Sequence, residues 1–200
     1  MNKNGVIMKP AFVKKYEKLG SPIPMPDPLK HTVIQHYAKK NKARYLVETG
    51  TYLGGTVIAL QDYFDKLITI EVSPAVAAKF REACPNLPDN ITALVGKSYA
   101  LLPAILPGLK GPRIFWLDAH GSTWGNEFGG ESVDVPESSV IQELDIIFAN
   151  KHKGDIILID DINIFGTFGW MPLEQVIDTI TKAGYSCRVE ALILVVELTE

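Results

Sequence analysis

Short apolar segments alternate with helix-capable segments from residue 44 onward, and this alternation limits the possible folds most strongly. The apolar segments span residues 44–48, 67–71, 91–95, 113–118 and 155–160. Segments of helical character lie between and after them, at 55–65, 74–83, 99–107, 137–150 and 172–183. Continuous apolar strands that alternate with helices are typical of a parallel sheet covered by helices on both faces.

The last two apolar segments, 184–189 and 191–198, are too close in sequence for a helical crossover. We therefore expect them to pair as antiparallel strands. A chain of 200 residues with 46% hydrophobic residues is large enough to bury a core without disulfides. Its two cysteines, Cys84 and Cys187, form no metal-ligand pattern. The sequence predicts a parallel α/β sheet that ends in an antiparallel strand.

Charge is distributed unevenly along the chain. The net charge is −3, but residues 1–43 carry +7 and residues 44–200 carry −10. Four prolines at 21–28 separate the lysine-rich start from an expected helix at about 29–41. We predict a basic, proline-containing N-terminal extension with a helix over 1–43 and one main domain over 44–200. The extension is either a solvated helix face, a cover for a ligand, or a bridge to a second subunit.

Several classes of partner are not expected. No apolar run of signal-peptide length follows the N-terminal lysines. The longest apolar run near the end, 191–196, is far shorter than the roughly 20 residues of a membrane span. A negative net charge argues against a nucleic-acid binder that relies on bulk charge. We expect a cytoplasmic protein with a small-molecule partner, no nucleic acid and no membrane, and leave a homo-oligomer open.

Acidic residues end four of the five predicted parallel strands. They are Glu48, Glu71, Asp118, and Asp160 with Asp161. In open parallel sheets, ligands bind outside the carboxyl ends of the strands. The alternative is that these acids cap the following helices, where a carboxylate accepts main-chain N–H groups. Acids at four strand ends along one sheet edge favour the ligand site.

A glycine-containing loop, Glu-Thr-Gly-Thr-Tyr-Leu-Gly-Gly-Thr, spans residues 48–56. Gly50 and Gly54 allow tight turns and the close approach of a ligand. Neither GxGxxG nor GxxxxGKS is present, and Glu48 would repel a phosphate. Glu71 lies 23 residues after Glu48, where an acid typically holds ribose hydroxyls. An adenosyl ligand with a cationic remainder suits both acids.

This loop and Glu71 resemble the first motif and the ribose-binding acid of class I S-adenosylmethionine-dependent methyltransferases. The resemblance covers about residues 40–200. It implies a Rossmann-like sheet of order 3-2-1-4-5-7-6, with the last strand antiparallel and helices on both faces. It also implies a set of residues that hold S-adenosylmethionine: Glu48, Gly50, Thr51, Tyr52, Gly54, Thr56, Glu71 and Ser98. Lys97 departs from the family pattern, because many members have Gly-Asp-Ser where this chain has Gly96-Lys97-Ser98.

Three later segments, 115–122, 143–147 and 157–161, resemble the macrocin-type O-methyltransferases, which are metal-dependent and act on sugar hydroxyls. The resemblance implies that Asp118, Asp160 and Asp161 bind a divalent cation. Oxygen-only ligands favour Mg²⁺, Mn²⁺ or Ca²⁺ over zinc, and we expect Mg²⁺. The cation would acidify an acceptor hydroxyl, and either Asp118 or His120 would take its proton.

Two further segments are candidates for acceptor binding. Residues 119–136 include several glycines, Trp124 and Phe128, and a connection of this length is expected to form a lid rather than a disordered loop. Residues 164–170 supply either an aromatic wall for a sugar or aromatic packing at the sheet edge.

These observations predict S-adenosylmethionine-dependent, metal-assisted O-methyl transfer to a hydroxyl of a small molecule, with a saccharide or glycosylated metabolite as the expected acceptor class. The alternative is a non-catalytic adenosyl-ligand binding module of the same fold. A ureohydrolase is disfavoured because Ser122 stands where an acid is expected two residues after His120. A nicotinamide dehydrogenase is disfavoured because GxGxxG is missing.

Overall fold

The computed structural model describes residues 9–119, 139–167 and 170–198. Its seven strands are Tyr45–Thr49 (β1), Lys66–Glu71 (β2), Ile91–Val95 (β3), Arg113–Leu117 (β4), Asp155–Ile159 (β5), Cys187–Glu190 (β6) and Ile193–Leu198 (β7). They form one sheet of order β3-β2-β1-β4-β5-β7-β6. Strands β1 to β5 are parallel, and β7 is antiparallel to both β5 and β6. The expected fold class, strand order and antiparallel last strand are confirmed.

Seven α-helices accompany the sheet in the described residues. They are Ala11–Lys18 (α1), Asp27–Asn41 (α2), Gly55–Ala59 (α3), Pro74–Ala83 (α4), Ser98–Ile105 (α5), Val140–Ala149 (α6) and Leu173–Lys182 (α7). One buried apolar cluster joins the sheet to α1–α4, and a second joins it to α5–α7. The sheet is therefore covered on both faces, as its continuous apolar strands require.

Strand β4 shows why these strands are apolar throughout. Ile114, Phe115, Trp116 and Leu117 are all buried. Ile114 and Trp116 belong to the cluster of the first helices, whereas Phe115 and Leu117 belong to the other cluster. Successive side chains on a strand point to opposite faces, so a strand covered on both sides needs apolar residues at every position.

Two predicted helices are shorter than expected. The segment 55–65 forms α3 only as far as Ala59 and continues as the 3₁₀ turn Gln61–Tyr63. The segment 99–107 forms α5 and then the 3₁₀ turn Leu106–Gly108. Pro103 lies inside α5 and removes one main-chain donor from this short helix.

The N-terminal segment contains two helices where one was expected. Helix α2 begins at Asp27, two residues before the predicted start, with Pro28 in its first turn, where proline is tolerated. Helix α1 buries Phe12 and Tyr16 in the cluster that also contains Trp116 of the sheet. Lysines 14, 15 and 18 are exposed on the other side of α1. Both helices therefore contribute to the core of the sheet domain, and the lysines form a solvated face.

None of the helices in the described part of the chain has the length and apolar character needed to cross a membrane.

Candidate functional site

The carboxyl ends of the parallel strands are linked by main-chain hydrogen bonds that continue just beyond each strand. The amides of Gly50, Gly96, Asp118 and Asp160 donate to carbonyls of the neighbouring strand ends at 2.8 to 3.1 Å. We call these four linked amides the amide row. It fixes the main chain directly after β1, β3, β4 and β5.

Three of the predicted acids come together at this edge. Asp118 follows β4, and Asp160 and Asp161 follow the adjacent strand β5. One carboxylate oxygen from each residue lies within 4.8 Å of the others. The structure therefore brings together the three residues expected to hold a metal.

Burial changes the acidity of this group. Asp160 is fully buried, and desolvation raises the pKa of its carboxyl to about 6, against the opposing effect of Lys30. Desolvation, followed by the charge of Asp160, raises the pKa of Asp118 well above its usual range. Asp161 has a left-handed main chain with φ of 46°, which is uncommon for a residue other than glycine. Grouping these acids is costly without a nearby cation.

Lys30, which is not among the predicted site residues, brings a positive charge next to these acids. The Nζ atom of Lys30, in the first turn of α2, is 2.5 Å from Oδ2 of Asp160 and 3.6 Å from Oδ1 of Asp161. A sequence signal for this position exists, because Val33, Ile34 and Tyr37 follow Lys30 at helical spacing and are buried. A residue on the apolar stripe of a helix faces the sheet.

The donor set fits a hard divalent cation. Three carboxylates supply only oxygen ligands, which suits Mg²⁺, Mn²⁺ or Ca²⁺. When all three are ionised they carry three negative charges, and the single charge of Lys30 neutralises only one. Asp118, Asp160 and Asp161 are the residues that would hold the ion.

The glycines after β1 make close contacts with protein atoms. Gly50 has φ of 89°, and a Cβ there would lie 2.5 Å from the carbonyl oxygen of Asp118. Gly54 has φ of 78°, and a Cβ there would overlap the ring of Phe80. Both turns need glycine. The close contacts that these glycines make are with Asp118 and Phe80 of the protein itself, and the expected close approach of a ligand stays a prediction.

Glu71 connects the end of β2 to this loop. Its carboxylate accepts hydrogen bonds from the main-chain N–H of Tyr52 at 3.0 Å and of Ser73 at 2.9 Å. Ser73 caps α4, so Glu71 also fixes the start of that helix, as the capping alternative anticipated. Tyr52 has φ of 48° and an exposed side chain. Glu71 thus orients the loop at the position expected for ribose binding, and its contact with a ligand stays a prediction.

Glu48 is buried within a chain of hydroxyl groups. Thr69 donates to its Oε2 at 2.6 Å, and the Thr69 and Thr51 hydroxyls are 2.6 Å apart. Burial raises the pKa of Glu48 to about 7, while hydrogen bonds from Thr69 and Thr56 act in the opposite direction. Glu48 and Thr51 therefore support the loop from beneath, and their direct contact with a cofactor stays a prediction.

A second buried acid, Glu143 on α6, lies beneath the predicted adenine side of the site. Its carboxylate accepts hydrogen bonds from the hydroxyls of Ser98, Ser139 at 2.8 Å and Thr49 at 3.5 Å. Desolvation raises the pKa of Glu143. Residue 143 belongs to a segment with a family resemblance, but no sequence pattern indicated a role for it. It joins α6 to the end of β1 and to the start of α5. The hydroxyl of Ser98 donates its hydrogen bond to Glu143.

Some expectations concern residues that the structure does not describe. His120, Trp124 and Phe128, with the proposed lid, lie outside the described residues, as does Phe168. Phe165 is buried in the core cluster of α5–α7, with its ring 6.0 Å from that of Trp170 in an edge-to-face arrangement. For Phe165, the structure favours the packing alternative over an aromatic wall.

Comparison with known proteins identifies one short sequence match among curated proteins. No protein-family model matches the chain. Ribosomal RNA small subunit methyltransferase A from Rhodococcus erythropolis is 33% identical over 67 residues, which are 32% of this chain and 22% of that protein. The match thus spans about a fifth of the relative's length.

Solved structures match almost the whole chain. An O-methyltransferase from Bacillus cereus in complex with SAH has a TM-score of 0.62 and 16% identity, with 97% of this chain and 94% of that chain covered. The O-methyltransferase TomG from Streptomyces achromogenes, in complex with SAM, has a TM-score of 0.65 and 13% identity, with coverages of 98% and 93%. The SAH-bound methyltransferase PaMTH1 from Podospora anserina has a TM-score of 0.59 and 15% identity, with coverages of 99% and 92%. The chain therefore has the fold of these methyltransferases.

Proposed function

We propose that this chain is an S-adenosylmethionine-dependent O-methyltransferase that acts on a hydroxyl of a small molecule with the help of a divalent cation. The observation that carries the proposal is the group formed by Asp118, Asp160 and Asp161, because binding of an adenosyl cofactor alone requires no such group. The contact between Gly50 and Asp118 supports the proposal, because a cofactor loop and metal ligands that serve one reaction would have to be adjacent. The complexes of two similar O-methyltransferases with SAH or SAM support the choice of cofactor.

The proposed cofactor site lies over the ends of β1 and β2. The loop from Gly50 to Gly54 would contact the amino-acid part of the cofactor, and the Glu71 carboxylate would accept hydrogen bonds from the ribose hydroxyls. The main-chain N–H groups of Tyr52 and Ser73, which both donate to the Glu71 carboxylate, hold it in one orientation. Ser98 would line the adenine side from the start of α5. Cofactor orientation then comes from groups that the sheet edge already fixes.

The chemistry at the acceptor is the loss of a proton and attack on a methyl group. A divalent cation held by Asp118, Asp160 and Asp161 would acidify the acceptor hydroxyl when bound. Asp118 or His120 would receive that proton. Methyl transfer is an in-line displacement from a sulfonium, so the protein contributes mainly by aligning the two reactants. The proposed acceptor class is a saccharide or a glycosylated metabolite.

The cofactor assignment is tested by isothermal titration of the full chain with S-adenosylmethionine and with NAD. We expect heat of binding for S-adenosylmethionine alone, and tight binding of NAD would contradict the assignment. Transfer of a labelled methyl group to a panel of sugars and phenols, with and without a chelator, then tests the activity. Cofactor binding without transfer to any acceptor would favour the non-catalytic binding module.

The metal assignment is tested by Asp160→Asn, which removes a ligand charge and keeps the side-chain shape. We expect methyl transfer to fall about 100-fold or more, while affinity for S-adenosylmethionine changes little. Asp145→Asn is the matched control, because Asp145 lies exposed on α6. Full activity of the unaltered chain after chelation would contradict metal assistance and leave the cofactor assignment intact.

A further inference from the structure

Lys30 lies against two of the three carboxylates that would hold a divalent cation. Its Nζ atom contacts Asp160 at 2.5 Å and Asp161 at 3.6 Å, and its side chain is only 13% exposed. Both carboxylates belong to the set of three whose oxygens lie within 4.8 Å of one another. The ammonium group is therefore inside the proposed metal site.

The helix that carries Lys30 is firmly held. Val33, Ile34 and Tyr37 are 0%, 0% and 1% exposed, and α2 contacts both β4 and β5. The main chain of Lys30 is thus fixed relative to the ends of those strands. Its four-carbon side chain has several rotatable bonds, so the ammonium can leave while the helix stays in place. Because the side chain is still partly exposed, solvent is within its reach.

Charge sets the relation between the ammonium and a metal ion. Three ionised carboxylates and one ammonium leave a net charge of −2, which favours a divalent cation. That cation needs oxygen ligands at about 2.1 Å if it is Mg²⁺. An ammonium at 2.5 Å from Asp160 would then lie only a few ångströms from the ion, and like charges at that separation repel strongly in a buried site.

We propose that Lys30 is a built-in counter-ion that competes with the divalent cation for Asp160 and Asp161. In the metal-free protein the ammonium stabilises these two carboxylates, and in the metal-bound protein the side chain of Lys30 turns toward solvent. Lys30 thereby sets the affinity and the selectivity of the site, because only a cation that outcompetes the ammonium is bound. This proposal rests on the metal site of the proposed function.

The direct test is the affinity of the full chain for Mn²⁺ and Mg²⁺, measured by isothermal titration without cofactor or acceptor. Lys30→Gln removes the charge and keeps a polar end on a side chain one atom shorter, and we expect it to tighten metal binding about tenfold or more. Lys30→Arg keeps the positive charge and is expected to bind metal no more tightly than the unaltered chain. Lys39→Gln is the control on the same helix, since Lys39 is exposed, and it should change the affinity by less than about twofold. Unchanged or weaker binding in Lys30→Gln, or equal tightening in Lys39→Gln, would overturn the proposal.

A second measurement uses the unaltered chain and does not depend on any variant. Amine labelling followed by mass spectrometry reports how accessible each lysine is. We expect labelling of Lys30 to rise several-fold when Mn²⁺ or Mg²⁺ is added, while labelling of Lys39 stays constant. Constant or reduced labelling of Lys30 in the metal-bound protein would overturn the proposal.

The two proposals fail in different ways. If neither the unaltered chain nor Lys30→Gln binds a metal but methyl transfer proceeds, the counter-ion proposal and the metal site fail and the methyltransferase assignment stands. If Lys30→Gln tightens metal binding but S-adenosylmethionine does not bind, the counter-ion proposal stands and the methyltransferase assignment fails.

Discussion

Gly50 and Asp118 contact each other through their main chains, so closely that a Cβ on residue 50 would lie 2.5 Å from the carbonyl oxygen of Asp118. This contact joins the loop after β1 to the acid after β4. Gly50 also donates its amide to Ile70, and Asp118 donates its amide to Thr49. The proposed cofactor loop and the proposed metal ligands are therefore positioned together and cannot shift independently.

Gly50→Ala should destabilise the protein more than a glycine replacement that introduces only backbone strain. Gly184→Ala is the matched control, because Gly184 has φ of 86° and no atom within 4 Å of an added Cβ. We expect a loss of about 1 kcal/mol for Gly184→Ala from the left-handed main chain. Gly50→Ala should lose about 3 kcal/mol or more, because overpacking adds to that strain. Urea unfolding measures both, and equal losses would contradict the contact with Asp118.

Replacing Glu143 should weaken both the fold and the adenosyl site. Glu143→Ala leaves the hydroxyls of Ser98, Ser139 and Thr49 without their acceptor, and a buried unsatisfied group costs about 1–3 kcal/mol. We expect the free energy of unfolding to fall by about 3 kcal/mol and affinity for S-adenosylmethionine to fall with it. Glu143→Gln should lose less, and exposed Asp145→Asn should be neutral. If a folded Glu143→Ala protein bound S-adenosylmethionine as tightly as the unaltered chain, Glu143 would have no part in cofactor binding.

The pH dependence of stability should report on Glu48. Its folded pKa of about 7 lies above the unfolded value of about 4.3, so the folded protein binds this proton more tightly. The contribution is fully present below the unfolded pKa and is lost as pH rises to about 7, by up to about 4 kcal/mol. Partly exposed Asp118 and buried Asp160 and Glu143 act in the same direction.

Glu48→Gln should therefore make the decline in stability between about pH 4.3 and 7 shallower. The measurement is a series of urea unfolding curves across this pH range. Exposed Glu174→Gln on α7 is the control, and it should leave the pH dependence unchanged. An unaltered slope in Glu48→Gln would show that this carboxyl does not gain a proton on folding.

The other end of the sheet contains a buried ion pair whose disruption should be severe. Asp155 accepts from Nε of Arg113 at 3.1 Å and from the main-chain N–H of Arg113 at 2.9 Å. Arg113 also donates to the carbonyl of Asn150 at 2.6 Å. Arg113→Leu leaves a buried carboxylate without its charged partner, at a cost of about 3–5 kcal/mol.

Arg44→Leu is the control for that substitution, because Arg44 pairs with Asp65 where both side chains are more than half exposed. An exposed pair of this kind contributes about 0–1 kcal/mol. Thermal unfolding of both variants at one pH makes the comparison. A similar loss in the two proteins would indicate that the Arg113–Asp155 pair contributes little beyond its surface counterpart.

Sequence patterns located the strands and the acids at their ends because both depend on local rules. A run such as 155–160 is apolar at each strand position and ends in an acid, and parallel strands bring such ends to one edge. The family resemblance grouped Asp118, Asp160 and Asp161, and the structure brings their carboxylates together after two adjacent strands. The order of the strands came from the family resemblance and was confirmed by the structure.

Lys30 and the hydroxyl groups around Glu143 were missed because they depend on contacts between distant segments. Lys30 is 130 positions from Asp160 and lies in a segment that its proline content and charge set apart from the main domain. The sequence indicates that Lys30 lies at helical spacing from Val33, Ile34 and Tyr37. It does not indicate which face of the sheet α2 covers. Ser98 and Glu143 likewise meet only after α5 and α6 pack together.

The amide row has a consequence for how the site moves. Gly50, Gly96, Asp118 and Asp160 each donate to a neighbouring strand end, so the floor of the site belongs to the same cooperative unit as the sheet. We expect its amide hydrogens to exchange with solvent only when the hydrogen bonds between the carboxyl ends of the strands break. Motions that let reactants enter or products leave must therefore come from groups outside the amide row, such as the side chain of Lys30 and the exposed turn at Tyr52.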